Sequence, residues 1–224
     1  MTSYRSLPAL LSLMILPAAV LHAADQTWSG GSLVNGNWSN TANWLGGAAP
    51  GSTSVLNSVD VATFSSAITN GWGGTALNPI VIDSASQNIG GITFSGQAGS
   101  YFIGSTGGNA LLLSSGGTIQ MTSTLMQAVT ATINAPLVIQ GAAGTYSFTN
   151  NSTLGTLVFG GGITGGATGA TVLTLNGSNT TANTLRGIIS DGSATSVAVT
   201  KSGTGTWVLG GNNVYTGATT ISAG

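Results

Sequence analysis

The amino-acid sequence predicts an all-β protein built as a parallel β-solenoid, with a β-sandwich as the competing architecture. Three observations carry this. Gly, Thr, Ser and Asn number 36, 32, 27 and 17, half of the 224 residues, while charged residues make up 3%. Short apolar runs, among them Ile80-Val81-Ile82, Leu111-Leu112-Leu113 and Val172-Leu173-Thr174-Leu175, are each followed within a few residues by Gly, Asn or Ser. β-branched or leucine-rich runs between turn residues are the signature of strands, not helices. Finally, an apolar triplet leading into glycine recurs along the chain, and self-similarity of this kind marks a stacked architecture.

Residues 1–24 read as a secretory signal peptide. Arg5 supplies the positive n-region, residues 7–21 form an apolar core, Pro17 breaks it, and cleavage fits best after Ala23, with Ala24 next. The apolar run is shorter than the roughly 20 residues a membrane-spanning helix needs. No inner-membrane anchor is therefore expected after cleavage.

Residues 25–64 form a Trp/Asn-rich module. Trp28, Trp38 and Trp44 lie among Asn35, Asn37, Asn40 and Asn43. Two readings fit. Aromatic faces beside amides can bind sugar. Large rings can equally plug the open end of a solenoid, because stacked repeats need a cap for solubility. The cap is favoured.

Residues 65–224 are expected to form an irregular solenoid. Its triplets run into Gly116, Gly141, Gly161, Gly177 and Gly211, at intervals of 25, 20, 16 and 34 residues. A mean near 24 suits one turn of such a stack, with Gly and Asn at corners that require positive φ. The most helix-like stretch, 123–132, contains Val129, Thr130 and Thr132, which favour a strand.

The segment Lys201-Ser-Gly-Thr-Gly-Thr-Trp-Val-Leu-Gly-Gly-Asn-Asn-Val-Tyr-Thr-Gly-Ala-Thr-Thr-Ile-Ser-Ala-Gly224 closely resembles the autotransporter-associated β-strand repeat, or passenger-associated transport repeat. Gly203, Gly205, Gly210, Tyr215, Gly217 and Gly224 fall where that repeat has them. Residues 173–192 resemble the part that precedes it, and the Trp28-to-Gly51 stretch resembles the opening module of large bacterial surface proteins. The resemblance implies a right-handed parallel β-helix passenger, exported to the surface of a Gram-negative bacterium or the medium. It ties the repeat to secretion and folding, not catalysis. No translocator barrel is visible and the sequence stops at Gly224, which suggests a fragment or a short relative.

The chemistry on offer is sparse. After the leader, the chain keeps Asp25, Asp60, Asp83, Asp191, Arg186 and Lys201, with no His, Glu or Cys. Two bases cannot neutralise a phosphate backbone, so no nucleic acid is expected as partner. Without cysteine there is no disulfide or thiolate site. The enzyme reading is polysaccharide cleavage by paired carboxylates, which must lie about 5–9.5 Å apart. Asp60 and Asp83, 23 residues apart, would be the pair, stacked on adjacent turns and sharing a groove with Trp72. The plainer reading makes them turn residues, as Asp191-Gly192 is. No catalytic, metal or cofactor residue is therefore assigned, and no cofactor is expected. The function expected is an exported, non-enzymatic structural or adhesive solenoid, with a carbohydrate-binding or carbohydrate-cleaving β-helix as the alternative. A surface polysaccharide or neighbouring repeats of the same protein are the expected partners.

N-terminal sequencing of exported material tests the leader: it should begin at Ala24 or Asp25. Intact Met1 protein in the inner membrane is the contrary result.

Overall fold

The computed structural model describes residues 24–224. The expected leader lies outside them, apart from Ala24. Alternation sets the strands. In β8 (Thr145–Asn150) Tyr146, Phe148 and Asn150 point inward, and Thr145, Ser147 and Thr149 point out. β11 (Ala170–Gly177) repeats the pattern with Thr171, Leu173, Leu175 and Gly177 inside. Period-two burial of this kind is what a strand with one wet face requires.

Among the described residues sixteen strands form three faces. On the first, β1 (Gln26–Thr27), β2 (Val61–Phe64), β3 (Asn88–Phe94), β5 (Leu111–Met121), β8, β11, β14 (Ser196–Lys201) and β16 (Thr219–Ile221) follow one another. The second holds β4 (Phe102–Ile103), β6 (Thr130–Ile133), β9 (Thr156–Phe159), β12 (Asn183–Leu185) and β15 (Trp207–Leu209). The third holds β7 (Leu137–Ile139), β10 (Ile163–Gly165) and β13 (Ile189–Ser190), continued by residues 111–113 of β5. Every strand pairing is parallel. That pairing removes the β-sandwich, whose sheets are antiparallel. The fold is a parallel β-solenoid of about six turns. Among the described residues helix is confined to one turn at Thr41–Asn43, and the helix-like 123–132 stretch is a loop running into β6.

The register corrects the repeat read from the sequence. Leu111 pairs with Leu137, so those triplets do sit one turn apart. The triplets at Leu137, Leu157 and Leu173, however, lie on three different faces, in β7, β9 and β11. A true turn is longer than the triplet spacing suggests. Ile92 pairs with Ile119 and Phe148 with Leu175, each 27 residues on. The triplet marks a strand entering a corner, and each turn has three corners.

Like side chains stack inside. Ala62, Ile92, Ile119, Phe148 and Leu175 form one ladder, and Ile103, Ile133, Phe159, Leu185 and Leu209 another. The Phe148 and Phe159 rings stack at 4.3 Å. Each such side chain taken out of water contributes roughly 1.5–3 kcal/mol. At the end of the first face the inward position passes from Phe64 and Phe94 to Met121, Asn150 and Gly177.

Polar residues also stack inside, and they join the turns. Asn183 is fully buried at the head of β12. Its Oδ1 accepts from the Leu157 amide (3.0 Å) and from Asn150 Nδ2 (2.7 Å), both one turn below. Its Nδ2 donates to the Thr206 carbonyl (3.1 Å), one turn above. Asn179 lies in the same corner and donates to the Ser152 and Gly155 carbonyls. Asn88 does the same work between the third and first faces. Its Oδ1 accepts from the Ser58 amide (2.8 Å) and Ser114 Oγ (2.9 Å), while Nδ2 donates to the Leu112 carbonyl (2.9 Å).

Two substitutions check this reading. Asn183→Ala strands the Leu157 amide, at about 1–3 kcal/mol for a group buried unpaired, and takes one of two partners from Asn150 Nδ2 and from the Thr206 carbonyl. Gly177 has φ +109, and a Cβ there would collide with the Asn150 carbonyl. Gly177→Ala should therefore cost on the order of 1–3 kcal/mol. Denaturant unfolding followed by Trp fluorescence should rank both below the parent. A parent-like Asn183→Ala protein would contradict the bridging role.

Candidate functional site

The four aspartates are the only acids in the chain, and each carboxylate accepts a backbone amide. Asp25 takes the Val61 amide at 2.8 Å, and Asp60 the Gly51 amide at 2.9 Å. Asp83 takes the Ser39 amide at 3.0 Å together with its hydroxyl. Asp191 takes the Val197 amide at 2.7 Å and the Thr216 amide at 3.1 Å. Asp60 and Asp83 do not stack. Asp60 immediately precedes β2, and its carbonyl receives the Gly90 amide of the next turn (2.9 Å). Asp60 is 4% exposed, so it lines no open groove, and Trp72 donates its indole N–H to the Ser32 carbonyl instead (3.0 Å). The pair expected for polysaccharide cleavage is thus not brought together.

The Trp/Asn cluster is closed as well. Trp28, Trp38 and Trp44 are buried. Their rings meet edge to face, with centroids 5.0 Å apart for Trp28 and Trp44 and 4.9 Å for Trp38 and Trp44. Trp38 donates its indole N–H to the Pro50 carbonyl (3.0 Å) and Trp44 to that of Trp38 (2.7 Å). Asn43 is buried and donates to the Asn35 and Asn37 carbonyls, both at 3.1 Å. Asn40 Nδ2 donates to Ser32 Oγ at 2.9 Å and Asn35 Oδ1 at 3.0 Å. Covered ring faces and committed amides leave no platform for a sugar. Trp28 also packs on Phe64, and Phe64 on Phe94, so the cluster continues the aromatic stack of the first turns.

Among the described residues two tyrosines, Tyr101 and Tyr146, are buried and held by the fold. Burial pushes the Tyr101 hydroxyl up to about 12, and it donates to the Ser66 carbonyl at 2.9 Å. Burial likewise raises Tyr146, whose hydroxyl oxygen accepts the Gly141 amide. Neither is poised for proton transfer near neutral pH.

Ser and Thr on the outside of a stack follow from the composition, but their alignment into ranks on the first face does not. The register aligns Thr27, Thr63, Thr93, Gln120, Thr149 and Asn176 in one rank. A second rank runs through Thr118, Ser147, Thr174, Thr200 and Thr220. Members of a rank recur about every 4.8 Å, and the ranks stand roughly 6.6 Å apart. Gln120 Nε2 donates to Thr93 Oγ1 (3.2 Å) across turns, and Ser147 and Thr149 hydroxyls bond across ranks (2.9 Å). Neither rank contains a charge. A shallow depression of about 190 Å³ interrupts it, lined by Gly116, Thr145, Tyr146, Ser147 and Thr174. The i, i+2 hydroxyl spacing in Ser147-Phe148-Thr149 was the available signal, but aligning it across turns needed the register.

Residues 199–224 match the model of the passenger-associated-transport-repeat family. A 55-residue stretch is 46% identical to the Adhesin BmaC autotransporter of Brucella suis biovar 1 (strain 1330); it covers 25% of this chain and 2% of that protein. No solved structure matches the chain. Residues 199–224 are thus similar to a passenger-associated transport repeat, and they lie on the last turns of a parallel β-solenoid. The structure gives that repeat a physical reading. Trp207 donates its indole N–H to the Asn176 carbonyl of the preceding turn (3.0 Å), and a Cβ at Gly217 would sit 2.5 Å from the Val197 carbonyl. The repeat's glycines let its backbone lie directly on the turn before it.

Asp191 ties that repeat down. The Val197 amide first, then the Thr216 hydroxyl and last its amide, hold the carboxyl below the usual carboxylate range. A depressed folded value means the stabilisation is full above the unfolded value near 3.9 and fades as pH falls through the folded one. The Thr216 amide resonance should titrate with a midpoint below that unfolded value, and Asp191→Ala should remove that step and raise hydrogen exchange at Thr216 at neutral pH. A Thr216 amide equally protected in both proteins would contradict the clasp.

Proposed function

We propose that the chain is an exported, non-enzymatic stretch of a passenger that serves as a structural or adhesive solenoid on the surface of a Gram-negative bacterium. The observation that carries this is the passenger-associated transport repeat at 199–224, which is laid in register on a parallel stack. Likeness of one stretch to an autotransporter adhesin supports both the location and the adhesive role. The mechanism is physical. Backbone hydrogen bonds run along the stack, aliphatic and aromatic ladders exclude water, and the turns present their outer side chains at fixed spacing. Residues 25–64 act as the cap of the first turns, their three indoles sealing the aromatic column. A surface polysaccharide or neighbouring repeats are its partners. Engagement of all four carboxylates by backbone amides supports the non-enzymatic reading.

The test uses residues 25–224 on beads. Bacterial or host cells should be retained by folded protein and not by heat-denatured protein. Proteinase K should cut loops and leave a large resistant core, because opening a packed turn is costly. Release of reducing ends from polysaccharide, abolished by Asp60→Asn or Asp83→Asn, would overturn the non-enzymatic reading. Absence of cell retention would overturn the adhesive one.

A further inference from the structure

We propose that the outer surface of the first face is a docking track for a neutral, unbranched glycan lying parallel to the stack, with one sugar ring seated in the depression between Gly116 and Thr174. This names the ligand class for the adhesive role and rests on that reading. The Trp/Asn cluster, whose rings are covered, is no part of the track.

The partner's chemistry follows from the two ranks. They offer hydroxyls and amides only, so a polyanion or polycation finds no counter-charge there. A ligand must present donors and acceptors at the repeat of the turns. An extended β-1,4-linked glycan advances roughly 5 Å per ring, close to the strand spacing of about 4.8 Å. The mismatch stays within hydrogen-bond tolerance over three or four rings, about the length from Thr118 to Thr200. Ser147 and Thr149 below, with Thr174 and Asn176 above, place four polar groups around each gap between turns. Their strands are held by the ladders beneath, so little ordering is required on binding.

Shape decides between a glycan and a second copy of the chain. Residues 115 and 116 are exposed where β5 rounds the corner, and Gly116 takes φ +79 there. This bulge forms one wall of the depression of about 190 Å³. A second flat face would strike the bulge and leave the depression empty. A single ring fits inside it, and the rest of the chain passes along the ranks.

The experiment is electrophoresis of residues 25–224 through gels containing hydroxyethyl cellulose, with sedimentation of the same protein. The parent should be retarded. Ser147→Ala with Thr174→Val, which keeps the strands intact, should weaken retardation at least five-fold. Ser147→Arg with Thr174→Arg should abolish it, while Thr164→Arg on the third face should not. Circular dichroism and melting confirm that each variant is folded. An unretarded parent, or double variants that migrate as the parent does, overturns the proposal. So does a parent dimer that the double Arg variant splits, which makes the face a self-contact. Cell retention by a double Arg variant overturns the glycan track and leaves the adhesive reading standing. Glucan retardation without any cell retention does the reverse.

Discussion

The stack depends on buried asparagines that each touch three successive turns. A parallel solenoid has a weakness of register: any turn can slide along its neighbour by two residues and keep apolar side chains inside. Aliphatic ladders do not resist that slip, because one isoleucine fits much as the next does. Asn183 and Asn88 do resist it. Each has one acceptor and one donor committed to defined backbone groups above and below, and a slip would leave those groups buried and unpaired. The same network fixes where corners fall, and so which hydroxyls come to stand in line outside.

The sequence made the architecture legible through parity and punctuation. In Thr145-Tyr-Ser-Phe-Thr-Asn the alternation is plain, and the structure buries the residues it marks. Length of turn was less legible. Leu137, Leu157 and Leu173 look alike because every strand that enters a corner needs the same ending, so three faces per turn pass for successive repeats. The asparagine bridges were hidden for another reason. Asn150 and Asn183 lie 33 residues apart, and nothing local separates a bridging asparagine from one in a turn. Asp60 and Asp83 misled in the opposite way: a separation near one turn counts only when both residues occupy the same position on it.

Composition and surface chemistry are two views of one constraint. With every carboxylate engaged and only Arg186 and Lys201 as bases among the described residues, that part of the protein has few charges with which to recognise anything. On the proposed track, recognition rests on neutral groups, each weak, repeated at a fixed interval. Even Lys201 is turned to the fold: its ammonium donates to the Gly203 and Ala223 carbonyls at 2.8 and 3.1 Å.

The passage from Phe64 and Phe94 to Met121, Asn150 and Gly177 at a single inward position gives the tower a direction. Its turns share a shape but not a filling, so each is keyed to the neighbours on either side. A turn copied in tandem would set Asn150 against a second asparagine, or phenylalanine against the space a glycine leaves. Lineages that lengthen such a tower by duplication must therefore refit the inner position before the new storey is sound. Outer loops carry no such debt and are free to diverge.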